Sequence, residues 1–169
     1  MTVADVLTDS FERVREAVHE AVDNLGPDEI LFRVDDETNS IGWLVWHLTR
    51  IEDDHVAAVA GREQDWVAGG WAERFGLPYE QQAHGYGHSA ADVAAFGVGS
   101  AELLTGYHDA VHARTIDYVG GLSDADLGRI VDPRWDPPVT LGVRLVSVIA
   151  DGLQHAGQAA LIRGIVERR

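Results

Sequence analysis

The chain has 169 residues and a net charge of −15, from 28 acidic and 13 basic side chains, and every basic one is arginine. This length suits one domain with an apolar core of its own, and so acidic a chain repels the phosphates of nucleic acids and anionic membranes. It contains no cysteine, which excludes disulfides and thiolate metal sites; any thiol in its chemistry has to come from outside.

The first segment, MTVADVLTDSFERVREAV, is charged and has no signal-peptide core, so a cytoplasmic location is expected. Apolar Val3, Val6, Leu7, Phe11, Val14, Val18, Val22 and Leu25 recur at three- and four-residue spacing, predicting a first helix over 3–25 that Gly26-Pro27 stops. A second helix is expected over 40–60, with Asn39 or Ser40 as N-cap and Gly61 beyond its end. The stretch 62–99 follows, rich in Gly, Trp and His, with a short helix near 90–96. It carries Trp66, Trp71, Phe75 and Tyr79, which could wall a pocket or simply pack. A third helix is predicted over 101–119, capped by Ser100 and ended by Gly120-Gly121. A fourth, over 141–167, has Thr140 as N-cap after Pro137-Pro138. No strand alternation is convincing and no apolar run reaches the ~18–20 residues of a membrane span. The expectation is therefore all-α: one domain over 1–169, a four-helix bundle with a long connection between its second and third helices.

Three side chains that can ligate a divalent metal stand out: His47 on the second helix, and Asp151 and His155 on the fourth. Asp151 and His155, four apart, lie one turn above each other. On a helical wheel Ile41, Leu44, Leu48, Ile51, Ala58 and Val59 share one face. His47 lies at its edge and His55 within it, whereas Thr49, Arg50 and Asp53 turn the other way. An inward imidazole is either a ligand or a core histidine bonded to a carbonyl or hydroxyl. On the fourth helix Leu141, Val143, Leu145, Val146, Val148 and Ile149 are apolar nearly all round. A narrow stripe of Ser147, Asp151, His155 and Gln158 follows: either a solvent face, or a polar interior stripe on an enclosed helix.

His108 and His112 also have ligand spacing but fall beside the apolar face of Leu104, Tyr107, Val111 and Thr115. His84 and His88, separated by Gly85-Tyr86-Gly87, read as a lid or plain surface loop. Glu52, Asp53 and Asp54 read as a solvated face. No phosphate-binding glycine loop or nucleophile elbow occurs.

The segment Trp43-Leu44-Val45-Trp46-His47-Leu48, taken with Asp151-Gly152-Leu153-Gln154-His155-Ala156-Gly157-Gln158-Ala159-Ala160-Leu161-Ile162-Arg163, resembles the DinB-like metal-binding bundles. It is most similar to the branch of mycothiol-dependent maleylpyruvate isomerase and mycothiol S-transferases. The resemblance follows the whole chain in helix order, its specific motifs only about twenty-five residues. It implies a divalent metal held by His47, Asp151 and His155, zinc first, with nickel, manganese or iron as substitutes. Relatives often have His or Glu where Asp151 stands. It also implies a thiol S-transferase that activates mycothiol or a similar small thiol for attack on an electrophile. Gln158, three residues after His155, and His55 are expected in support, His55 as a residue behind the ligands, a general base or a core histidine. A homodimer is compatible with the family; nucleic-acid and membrane partners are not expected. Two other readings stay open: a non-catalytic metal-containing stress or ligand-binding bundle, and a metal-dependent hydrolase.

Overall fold

The structure is a computed structural model describing all residues 1–169. Helix α1 (Val3–Val22) starts with a reciprocal cap. The Thr2 hydroxyl accepts from the Asp5 amide at 3.2 Å and Asp5 accepts from the Thr2 amide at 2.7 Å. It ends before residue 25 because Asn24 turns left-handed (φ 57°), a conformation asparagine tolerates better than most side chains. A single-turn helix, α2 (Pro27–Ile30), follows.

Helix α3 (Ile41–Ala60) begins and ends where the capping residues place it. The Ser40 hydroxyl accepts from the Trp43 amide at 3.2 Å, and Gly61 closes the helix at φ 68°. The long connection holds three short helices: α4 (Asp65–Ala68), α5 (Trp71–Phe75) and α6 (Ala90–Ala94). Helix α7 (Ala101–Gly120) is capped by Ser100, and α8 (Leu141–Val166) by Thr140. Between them runs a ribbon absent from the sequence reading. Strand β1 (Ile130–Asp132) pairs antiparallel with β2 (Val139–Thr140), and the two are too short to display alternation.

The four long helices form an all-α bundle in which α3 packs on α8 and α7, and α1 on α7 and α8, leaving α1 and α3 diagonal. Two apolar clusters fill it. The larger is built from Val14, Val18, Ile41, Leu44, Trp46, Leu48, Tyr107 and their neighbours. The smaller joins Leu7, Phe11, Val56, Val119, Leu141, Leu145 and Val148. No helix is long and apolar enough to cross a membrane.

Between the clusters α3 is polar yet still buried. Thr49, Arg50 and Asp53 are fully enclosed and Glu52 is 2% exposed, against the expectation of an outward, solvated side. The long connection folds back over Arg50 and Asp53, while α7 covers Thr49 and Glu52. Asp53 accepts from the amides of Asp65 (2.9 Å) and Trp66 (2.7 Å) and from the Tyr107 hydroxyl (2.9 Å). Arg50 donates to Gln64 at 2.8 Å and lies 3.9 Å from Asp53, so these polar groups partner one another apart from Arg50 Nη2, which is buried without a partner. Asp54 alone of the acidic run stays partly in water. Trp66, Trp71 and Phe75 pack into the larger core, and Trp66 and Tyr79 also line a small cavity.

Helix α8, by contrast, is not enclosed. Val143, Val146, Leu153 and Leu161 face solvent, as do Ser147 and Gln158, whereas Asp151 and His155 turn halfway inward toward α3.

Candidate metal centre

His47, Asp151 and His155 each offer a ligand atom, and these atoms all lie within 4.8 Å of one another, at the level where the two apolar clusters part. No other three histidine or acidic side chains converge in this way. The His47 and His155 rings meet edge to face with centroids 4.8 Å apart, and His155 Nε2 stands 3.5 Å from Asp151 Oδ1.

Each imidazole is held by its other nitrogen. His47 Nδ1–H donates to the main-chain carbonyl of His84, and His155 Nδ1–H donates to Gln158 Oε1 at 2.9 Å. Both acceptors fix the proton on Nδ1 and leave the Nε2 lone pair for a cation, the orienting arrangement common behind ligating histidines. Trp43 lies flat on the His47 ring (centroids 4.8 Å apart, planes 15° apart), limiting its rotation. Gly85 brings the 84–88 loop against this stack. A Cβ there would sit 2.7 Å from His47 Nδ1, and its φ of +94° suits glycine.

The donor atoms suit a divalent cation. Asp151 Oδ2 is buried without a hydrogen-bond partner, an unpaired carboxylate oxygen of the kind a metal satisfies. Burial holds the His47 pKa below its usual value, keeping the ring in its neutral, ligating form. The Asp151 carboxylate, 3.5 Å from Nε2, raises that of His155, so a metal binding there competes with a proton for the same nitrogen. Two imidazoles and one carboxylate leave open positions on a tetrahedral or larger coordination sphere.

Gln158 therefore joins the cluster, but His55 does not. Two turns further along α3, His55 lies 3.4 Å from Arg144 Nη1 and 3.6 Å from Asp54 Oδ2. His108 and His112 are buried yet do not converge with a third ligand. His108 bonds Thr49 at 3.1 Å, and His112 lies 3.1 Å from Glu12. Burial drives the His108 pKa down to about 3, so that ring is neutral. The 84–88 loop, read from sequence as a lid or plain surface, is docked: His88 Nδ1 accepts from the Trp43 indole at 3.3 Å and packs beside Tyr79 and Trp46. The His84 carbonyl escapes any motif based on side chains; the two glycines around Tyr86 were its only signal.

Fold and site together define an all-α bundle with a candidate two-histidine, one-carboxylate metal centre spanning α3 and α8. The chain belongs to the DinB superfamily, whose profile matches residues 10–159. It is similar to the crystal structure of a conserved protein from Enterococcus faecalis, with 29% identity over 100% of this chain and 99% of that one and a TM-score of 0.92. A comparison with curated proteins finds no match.

Proposed function

We propose that this protein is a divalent-metal-dependent thiol S-transferase, with His47, Asp151 and His155 holding the metal, zinc foremost, and with mycothiol or a similar small thiol as co-substrate. The observation that carries the metal assignment is the convergence of the three ligand atoms around an orphaned carboxylate oxygen, with both Nδ1 positions already engaged. A bound divalent metal supplies Lewis-acid chemistry that makes a thiol acidic near neutral pH. The chain's part is positional. The His84 carbonyl and Gln158 set the ring tautomers, Trp43 holds His47 flat, and Asp151 adds the negative charge that balances a cation. The thiol assignment draws on the resemblance of the two motifs to the mycothiol-using branch. It fits a chain that has no thiol of its own.

Elemental analysis of the purified protein, followed by thiol-dependent conversion of a generic electrophile such as a chlorobimane, tests the reading. About one metal per chain is expected, with turnover that requires added thiol. His47→Ala and His155→Ala should each lower metal affinity by at least roughly tenfold. Metal without thiol dependence would leave a hydrolase or a binding bundle. Absence of metal even after supplementation would defeat the assignment altogether.

A further inference from the structure

The outer face of α8 carries no charge. Between Val143 and Leu161 its exposed residues are Val143, Val146, Ala150, Leu153, Gly157 and Ala160, flanked by Ser147, Gln154, Gln158 and Leu161. On α1 the exposed residues are instead Asp5, Val6, Asp9, Arg13, Glu16 and Glu20, and on α7 they include Glu102, Arg114 and Asp117. The charged side chains within α8, Arg144, Asp151 and Arg163, are all partly covered at its edges. An uncharged strip about 27 Å long is thus the exception on a chain of net charge −15. Val146 within it is 63% exposed.

Positions 143, 146, 150, 153, 157 and 160 recur in alternating steps of three and four, the a and d places of a heptad that closes on another helix. When two copies of α8 run antiparallel, each a position meets a d position. Val143 then faces Ala160, Val146 faces Gly157, and Ala150 faces Leu153, each pair occurring twice about a two-fold axis. Every layer sets a larger side chain against a smaller one. A parallel pair would set like against like, leaving a gap at Gly157 and crowding at Leu153.

Gly157 is a second, independent sign that something approaches this face. A Cβ there would meet nothing within 4 Å, so the fold of the single chain does not require glycine. In mid-helix it nevertheless costs about 1 kcal/mol relative to alanine. Beside it runs a trough of about 490 Å³ between α1 and α8, with Ala17, Ala21, Ala156 and Ala160 in its walls. The missing side chain keeps that trough open and lets a neighbouring helix come close.

We propose that α8 docks antiparallel on α8 of a second copy of this chain, with Val146 of each copy seated in the trough beside Gly157 of the other. Charge favours this face over the rest. Two chains of net charge −15 repel, and they meet with least repulsion where neither presents an ionised group. The pattern is complementary to itself, as a two-fold interface requires. The metal assignment plays no part in it.

Sedimentation velocity of the full chain over roughly 1–500 µM is the first test, the range suited to one helix pair smaller than a standard interface of ~1,600 Å². A monomer–dimer equilibrium is expected. Leu153→Glu, which places a charge in two layers of the seam, should raise the dissociation constant by at least roughly tenfold. Val6→Glu, the same kind of change on exposed α1, should leave it unchanged. The register is read separately, because the chain has no cysteine of its own. Under mild oxidation the double variant Val146→Cys/Gly157→Cys should form a covalent dimer, and neither single variant should. The two positions lie about 16 Å apart along one helix, too far to bridge within a chain. This cross-link decides the matter even if Leu153→Glu fails to fold. A monomer at every concentration overturns the proposal. So does a dimer indifferent to Leu153→Glu, equal weakening by Val6→Glu, or a single-cysteine variant that cross-links as fast as the double one.

Discussion

Glu52 sits wholly inside the bundle with one side-chain hydrogen bond, from the Thr115 hydroxyl at 2.7 Å. Burial pushes its carboxyl up to about 7 from an ordinary 4.5, more than the Thr115 bond lowers it. A carboxyl whose folded pKa is raised binds its proton more tightly in the native state. Its stabilising contribution is therefore complete below about 4.5 and is lost as pH climbs through about 7. Glu52→Gln keeps the hydrogen-bonding shape without the ionisation. Denaturant unfolding of the two proteins across this range should show the variant gaining on wild type by about 1–3 kcal/mol between pH 5 and 8. Parallel stability curves would mean that Glu52 reaches water. Nothing in the sequence distinguished Glu52 from an exposed helix acid, because its hydrogen-bond partner comes from α7, distant in the chain.

At the scale of elements, helix ends were the most legible feature. Ser100 and Thr140 cap as read, Ser40 is the one of the two candidates that caps α3, and Gly61 closes it, because a cap is a local bargain between one side chain and nearby amides. Connections were least legible. The 84–88 loop acts through a main-chain carbonyl, and main-chain geometry leaves only glycines as its trace in sequence. Gly85 and Gly87 separate two effects there. Both have positive φ, but only at Gly85 would a Cβ collide with the His47 ring. Gly85→Ala should destabilise the fold by about 1–3 kcal/mol and, by displacing His47, weaken metal binding roughly tenfold or more. Gly87→Ala should carry the backbone cost with metal affinity intact. A competition titration against a chromogenic chelator reads the difference, and equal affinities in the two variants would remove the loop from the metal centre.

For the whole molecule, a metal held by His47 on α3 and by Asp151 and His155 on α8 would tie together the two most extensively packed helices at the level where the apolar core is interrupted. Ligand binding to the native state alone stabilises by mass action: at about a thousand times Kd the gain is ~4 kcal/mol. For a chain of this length that raises the melting temperature by roughly 8–16 °C. Zinc should produce the shift, chelator should reverse it, and His155→Ala should respond to neither. A wild-type melting curve indifferent to both would mean that the ligand atoms do not hold zinc.

The sequence by itself determined the four long helices, the N-caps of α7 and α8 and the inward phase of His47. It also determined the one-turn spacing of Asp151 and His155. These are local properties of periodicity and side-chain chemistry, and they were enough to point to the family. Only the tertiary structure decided that the ligands on two helices meet within 4.8 Å, and that His55 belongs to an arginine-lined cavity instead. It also decided that Thr49, Arg50, Glu52 and Asp53 are interior. Each of those outcomes depends on which distant segment covers a given helix face, and a helical wheel carries no information about what comes to lie against it.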